Sequence, residues 1–192
     1  MKNGKISAQK LNFIIAVCAI LISSASFYAT YLQADAANKQ VKAMTLPLLQ
    51  FSTGNWNSDL KKKQLTFTLK NAGLGAAIIK NINFIYKNKK YYSLTKYLHA
   101  CCEQGISLLS EHKREIENEE SLITSKLVDT ILAGQQSNEF LMLNSTQLTK
   151  PLWLSLNDER WKTKLEVCYC SLLDDCYITK ENGVTKSIEE CL

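Results

Sequence analysis

Seven cysteines and two histidines carry most of the chemistry open to this chain. Six of those cysteines, Cys101, Cys102, Cys168, Cys170, Cys176 and Cys191, lie in its second half. An even number of thiols in an exported domain favours disulfides, with fifteen connectivities on paper. Strand geometry prunes them. Alternation from Leu165 sets Leu165, Val167 and Tyr169 on one face, and Cys168 and Cys170 on the other. A turn over 171–175 then returns Cys176 opposite Cys170, so the spacing predicts a cross-strand Cys170–Cys176 bridge. Neighbouring cysteines rarely bridge each other because the ring is strained. Cys168 is therefore expected to reach the helix bearing Cys101 and Cys102, leaving Cys191 for the remaining partner.

The same side chains admit a second chemistry. His99, Cys101, Cys102, Cys168 and Cys170 offer soft ligands for zinc or cuprous copper. The C-x-x-C spacing of structural zinc is absent, and two adjacent ligands suit a tetrahedral ion poorly. Disulfides and no cofactor are the expectation. Catalytic residues are not expected either. His112 sits in a charged run, His99 beside the cysteine pair, and no Ser-His-Asp set or phosphate loop can be assembled. Asp174 and Asp175 read as turn chemistry.

All of this hangs from one apolar stretch. Residues 11–34 (LNFIIAVCAILISSASFYATYLQA) hold no charge and lie between Lys10 and Asp35. A helix rises about 1.5 Å per residue, so about 20 residues cross a hydrocarbon core of about 30 Å. A cleaved secretory signal ending at 23–25 is the rival reading, and a lipid anchor at Cys18 a weaker one. Phe27, Tyr28, Tyr31 and Leu32 continue the apolar run past that cut, as suits the interfacial end of a retained span. The lysines at 2, 5 and 10 outweigh Lys39 and Lys42 beside Asp35, which predicts a cytoplasmic N-terminus and an exported body. Ala16, Ala19, Ser23, Ser26 and Thr30 share a helical stripe, where small residues allow close helix packing with a partner or a second copy. Gln33, Ala37 and Gln40 continue the stripe through a helical extension over 35–45, which Pro47 stops.

The net charge of +5 comes mostly from the residues before 46, so nucleic-acid binding is not expected of the body. Within it, lysines crowd 59–96 and acids prevail beyond 101, either as unlike faces of one sheet assembly or as a basic patch near anionic lipid headgroups or an acidic partner. Most of the body reads as strands: 46–51, 64–70, 76–87, 90–92, 126–132, 137–144, 164–171 and 176–179. In 64–70 the alternation places Leu65, Phe67 and Leu69 inward. Asn71, Gly73 and Gly75 break that strand with a tight connection. Ile82, Phe84 and Tyr86 face inward in the next. A single inserted helix spans 93–104, capped by Ser93 and stopped at Gly105. The charged run 110–120 reads as a solvated loop or an exposed helix, and the segment with Trp153 and Trp161 as a polar connection.

Two motifs, Asn71-Ala72-Gly73-Leu74-Gly75-Ala76-Ala77 and Tyr169-Cys170-Ser171 followed by Asp174-Asp175-Cys176, resemble those of small bacterial single-pass membrane-anchored proteins. That group often has Pro at the position of Ala76 and Trp at that of Tyr177. The resemblance implies a bacterial inner-membrane protein with a periplasmic body, and brings no activity with it.

The expected architecture is mainly β. Residues 1–10 are cytoplasmic, 11–34 span the membrane and 35–45 link to an immunoglobulin-like antiparallel sandwich over 46–180, with a tail over 181–192. The expected role is a membrane-held module that binds a protein or a ligand. A metal- or redox-responsive protein using the His99 and cysteine cluster is the alternative.

Overall fold

The computed structural model describes residues 7–180 and 184–191. Two compact units divide the chain, 1–43 and 44–192. The first holds all but the last two residues of α1 (Ala8–Thr45), which is long and apolar enough to cross a membrane and buries none of its residues. Its 38 residues run well past the apolar stretch and end just before Pro47, a residue that cannot continue a helix. Lys2 and Lys5 lie outside the described residues.

The second unit contains two antiparallel sheets. One takes the order β1 (Leu49–Gly54), β2 (Gln64–Asn71), β7 (Ser137–Asn144), β5 (Leu122–Thr124). The other runs β10 (Val184–Ile188), β9 (Cys176–Lys180), β8 (Lys164–Cys170), β3 (Ala77–Tyr86), β4 (Lys89–Tyr91), with β6 (Ile131–Leu132) also paired to β3. The alternation in 64–70 does what period two requires, and Leu65, Phe67 and Leu69 are fully buried. Ile82, Phe84 and Tyr86 of β3 are buried likewise. Side chains from both sheets meet in one core. Phe84 of β3 and Phe140 of β7 stand edge to face at 6.1 Å, and Tyr97 stacks on Phe84 at 5.3 Å.

Helices are more numerous than the expected single insertion. Ser93 caps α2 (Leu94–Glu111) by accepting from the Lys96 amide, but the helix passes through Gly105 instead of stopping there. Packing explains the difference: a side chain at Gly105 would collide with the backbone of Leu152. Leu152 belongs to α4 (Lys150–Glu159), in the segment read as a polar connection. Pro151 starts that helix, and Leu152, Trp153 and Leu156 form a buried face too narrow to stand out among polar neighbours. The charged run contributes α3 (Lys113–Asn118), whose Ile116 is buried.

Two strand expectations also need correction. Within 126–132 only Ile131–Leu132 pairs, and β5 precedes it. The expected tail over 181–192 instead supplies β10, which pairs with β9 from Val184↔Lys180 to Ile188↔Cys176.

Candidate functional site: a cleft beside the first strand

The six body cysteines form three pairs. Cys170 faces Cys176 across the β8–β9 hairpin and is bonded to it, with Cα atoms 4.0 Å apart. Cys168 is bonded to Cys191, with Cα atoms 5.7 Å apart, and not to the helix carrying Cys101 and Cys102. The reason is β10, which folds the end of the chain back beside β9 and within reach of β8. Cys101 and Cys102 bridge each other, against the expectation from ring strain. Cys102 leaves the helical region there, at φ −143° and ψ 37°, inside α2. These pairings take Cys101, Cys102, Cys168 and Cys170 out of the ligand set proposed around His99. Among the described residues the sulfurs that do gather, within 4.8 Å, belong to Cys170, Cys176 and Cys191.

Asn71, Gly73 and Gly75 form a buried junction. The Asn71 amide nitrogen donates to the carbonyls of Gly75, Leu132 and Ala133 at 2.7, 3.1 and 3.2 Å. Its oxygen accepts from the amides of Leu48 and Gly73. Every hydrogen-bonding position of the side chain is thus used at zero exposure. Glycine is needed at 73 and 75 because a Cβ at either would strike the carbonyl of Leu46 or Thr45. The junction is structural, and it holds the start of β1 in place.

The stripe residues Ala16, Ala19, Ser23, Ser26 and Thr30 lie on the exposed α1, where the Thr30 hydroxyl donates back to the Ser26 carbonyl at 2.9 Å.

Beside β1 a cleft of about 510 Å³ opens between the two sheets, within the range usual for small-ligand sites. Phe51 and Thr53 form one wall, Lys164 and Thr179 the other, and Arg160 with Trp161 the end. Arg160 sits where α4 gives way to a tight 3₁₀ turn (Arg160–Lys162), and only 6% of it is exposed. Its Nη1 donates to the Thr53 carbonyl at 3.3 Å and to the Thr53 hydroxyl at 2.9 Å. The guanidinium also lies 4.1 Å from the centre of the Trp161 ring.

No carboxylate answers this buried cation among the described residues. The neighbouring Glu159 is committed to Lys162 at 2.8 Å and to the Tyr86 hydroxyl at 2.7 Å. Glu166, on β8, is held by Lys90, Lys180 and Asn83. Burial alone therefore acts on the guanidinium and pushes its pKa below the ordinary value. Among the described residues the hydrogen bonds of the fork are those of Nη1 to Thr53, and Nε is buried without a partner. Nε lies on the edge of the fork that binds an oxyanion with two parallel bonds. Arg160 and Lys164 are the charged members of the lining, and both are basic. Its lining offers a guanidinium, an ammonium, hydroxyls and aromatic rings.

Sequence reasoning did not reach this site. A signal was present, since the chain uses Lys almost to the exclusion of Arg, with Arg only at 114 and 160. An Arg set beside Trp in a lysine-rich chain marks a place where the planar fork matters.

No protein family, curated protein or solved structure matches this chain.

Proposed function

We propose that this chain is a membrane-tethered binding module whose β-domain takes an anionic ligand in the Arg160 cleft. The observation that carries the reading is a guanidinium that is nearly fully buried, lacks a carboxylate and has an unpartnered Nε on its oxyanion-binding edge. Leaving the buried Nε donor unmatched costs about 1–3 kcal/mol, a cost that a bound carboxylate or phosphate removes. A ligand supplies what the protein does not.

The tether is α1, inserted with its N-terminus in the cytoplasm and the body in the periplasm of a bacterial inner membrane. Lysines ahead of the span and three disulfides in the body support that placement. The stripe from Ala16 to Thr30 supports a partner helix or a second copy in the bilayer. Two antiparallel sheets around a shared core support an immunoglobulin-like sandwich, and the Asn71–Ala77 and Tyr169–Cys176 motifs support kinship with the small bacterial membrane-anchored proteins they resemble. A binding role is preferred to a catalytic one because the cleft offers a cation, hydroxyls and aromatic rings without an acid–base pair.

The test uses the full-length protein in detergent micelles. Titration with acetate and with phosphate at constant ionic strength is expected to shift the Trp161 indole N–H resonance saturably. Arg160→Gln is expected to abolish the shift. A wild-type indole resonance that ignores both anions overturns the reading.

A further inference from the structure

We infer that the occupant of this cleft is the C-terminal end of an extended peptide, laid as a short strand beside Phe51 with its terminal carboxylate on Arg160. The inference rests on the anion-binding reading above and adds the nature of the ligand.

The first support is the free edge of β1. This strand ends its sheet, so among the described residues one of its sides has no neighbouring strand. Which peptide groups point to that side follows from the ladder. Ala72 donates to the Leu48 carbonyl at 2.7 Å, and alternation then turns the groups of Gln50, Ser52 and Gly54 toward β2. Phe51 and Thr53 therefore aim their N–H and C=O groups away from β2, along the wall of the cleft. An exposed strand edge is a template for one more strand.

The second support is where that edge stops. Leu49 is 1% exposed, which closes the edge on one side of Phe51. On the other side Arg160 already occupies the outward carbonyl of Thr53. A strand running parallel to β1 accepts from the Phe51 amide and donates to the Phe51 carbonyl through the residues either side of its partner. Two residues further on, the Thr53 carbonyl would call for the next N–H of the incoming chain. Arg160 supplies that donor instead, so the incoming chain has to end there. A chain end in this direction is a carboxylate, and it arrives at the same guanidinium, on the edge that carries the unpartnered Nε. Cationic Lys164 and the exposed Trp161 ring flank the point of arrival.

The experiment presents full-length protein in detergent micelles to a library of random tetrapeptides fixed through their N-termini. One copy of the library ends in free carboxylates and the other in carboxamides. Retention on the carboxylate library at least tenfold above the carboxamide library is expected, and Arg160→Lys, which keeps charge but loses the fork, is expected to reduce it. Methylating the penultimate amide of a selected peptide is expected to cost at least tenfold in affinity, a change that leaves the protein untouched. Equal retention on both libraries overturns the inference, as does indifference to N-methylation. If neither library is retained while acetate or phosphate still shifts the Trp161 resonance, the peptide occupant is wrong and the anion site stands. Silence in both assays removes both.

Discussion

Asn71 and Leu132 stand 61 residues apart in sequence, yet the Asn71 amide donates to the Leu132 carbonyl at 3.1 Å in the buried interior. The same nitrogen serves Gly75 and Ala133, so one side chain closes β2, the loop after it and β6 onto each other. Asn71→Asp keeps the oxygen that accepts from Leu48 and Gly73 but removes every donation. It is expected to lower stability by about 3 kcal/mol, as buried carbonyls lose their partners. Chemical denaturation monitored by tryptophan fluorescence reads this directly, and a loss under about 1 kcal/mol would show that the junction does not depend on the amide.

Gly105 gives a second measurable contact. In an isolated helix Gly→Ala gains about 1 kcal/mol. Here the added methyl would lie 2.5 Å from the Leu152 Cα, and a backbone atom cannot step aside as a flexible side chain can. Overpacking of this kind costs about 1–3 kcal/mol. Gly105→Ala is therefore expected to lower the melting temperature by several degrees, opposite to the helix-propensity effect. A higher melting temperature would show that α2 and α4 separate freely.

Glu166 sets an acid limit. Burial pulls its pKa up, but hydrogen bonds from Lys90 and Asn83 and the charges of Lys90 and Lys180 outweigh that, and the net shift is downward. A carboxyl depressed in the folded state contributes stability above its unfolded pKa of about 4.3 and loses it as pH falls through the folded value. Stability is thus expected to decline from about pH 4.5 downward. Glu166→Gln should be less stable at pH 7 and show a flatter acid limb; an unchanged limb would mean that other carboxylates govern it.

What the sequence made legible was periodic and local. Strict alternation exposed β2 and its buried Leu65, Phe67 and Leu69, and the short Cys170–Cys176 spacing around an acidic turn marked a hairpin. Features decided by distant packing were not legible. The face of α4 is only three buried residues wide, and Gly105 resembles a helix stop until Leu152 is seen against it. β10 exists because β9 offers it an edge, and its pattern of mostly exposed residues carries no core signal. Arg160 becomes meaningful only once α4 has delivered it to Thr53, 107 residues away.

The tether predicts a fractionation result. Full-length chain is expected to stay in the membrane after carbonate washing, with its C-terminus open to protease added outside the cytoplasmic membrane. Recovery of a soluble body beginning near Ser26 would mean that the apolar stretch is removed as a signal.

Disulfide mapping decides how the end of the chain is held. Peptides from unreduced protein are expected to link Cys168 with Cys191 and Cys170 with Cys176, while Cys101 and Cys102 remain joined in one fragment. Their effects on stability should differ with the length of chain each closes. Cys168–Cys191, at a sequence separation of 23, is worth about 3 kcal/mol in the loop-entropy account, and Cys170–Cys176, at 6, nearer 2 kcal/mol. The Cys101–Cys102 ring spans too little chain to restrain the unfolded state. Replacing Cys168 and Cys191 together by Ser should therefore cost most and loosen β10, whose amides should then exchange faster than those of β9. If that pair costs no more than replacing Cys101 and Cys102, or a fragment links Cys168 to Cys101 or Cys102, then β10 is not what brings Cys191 home.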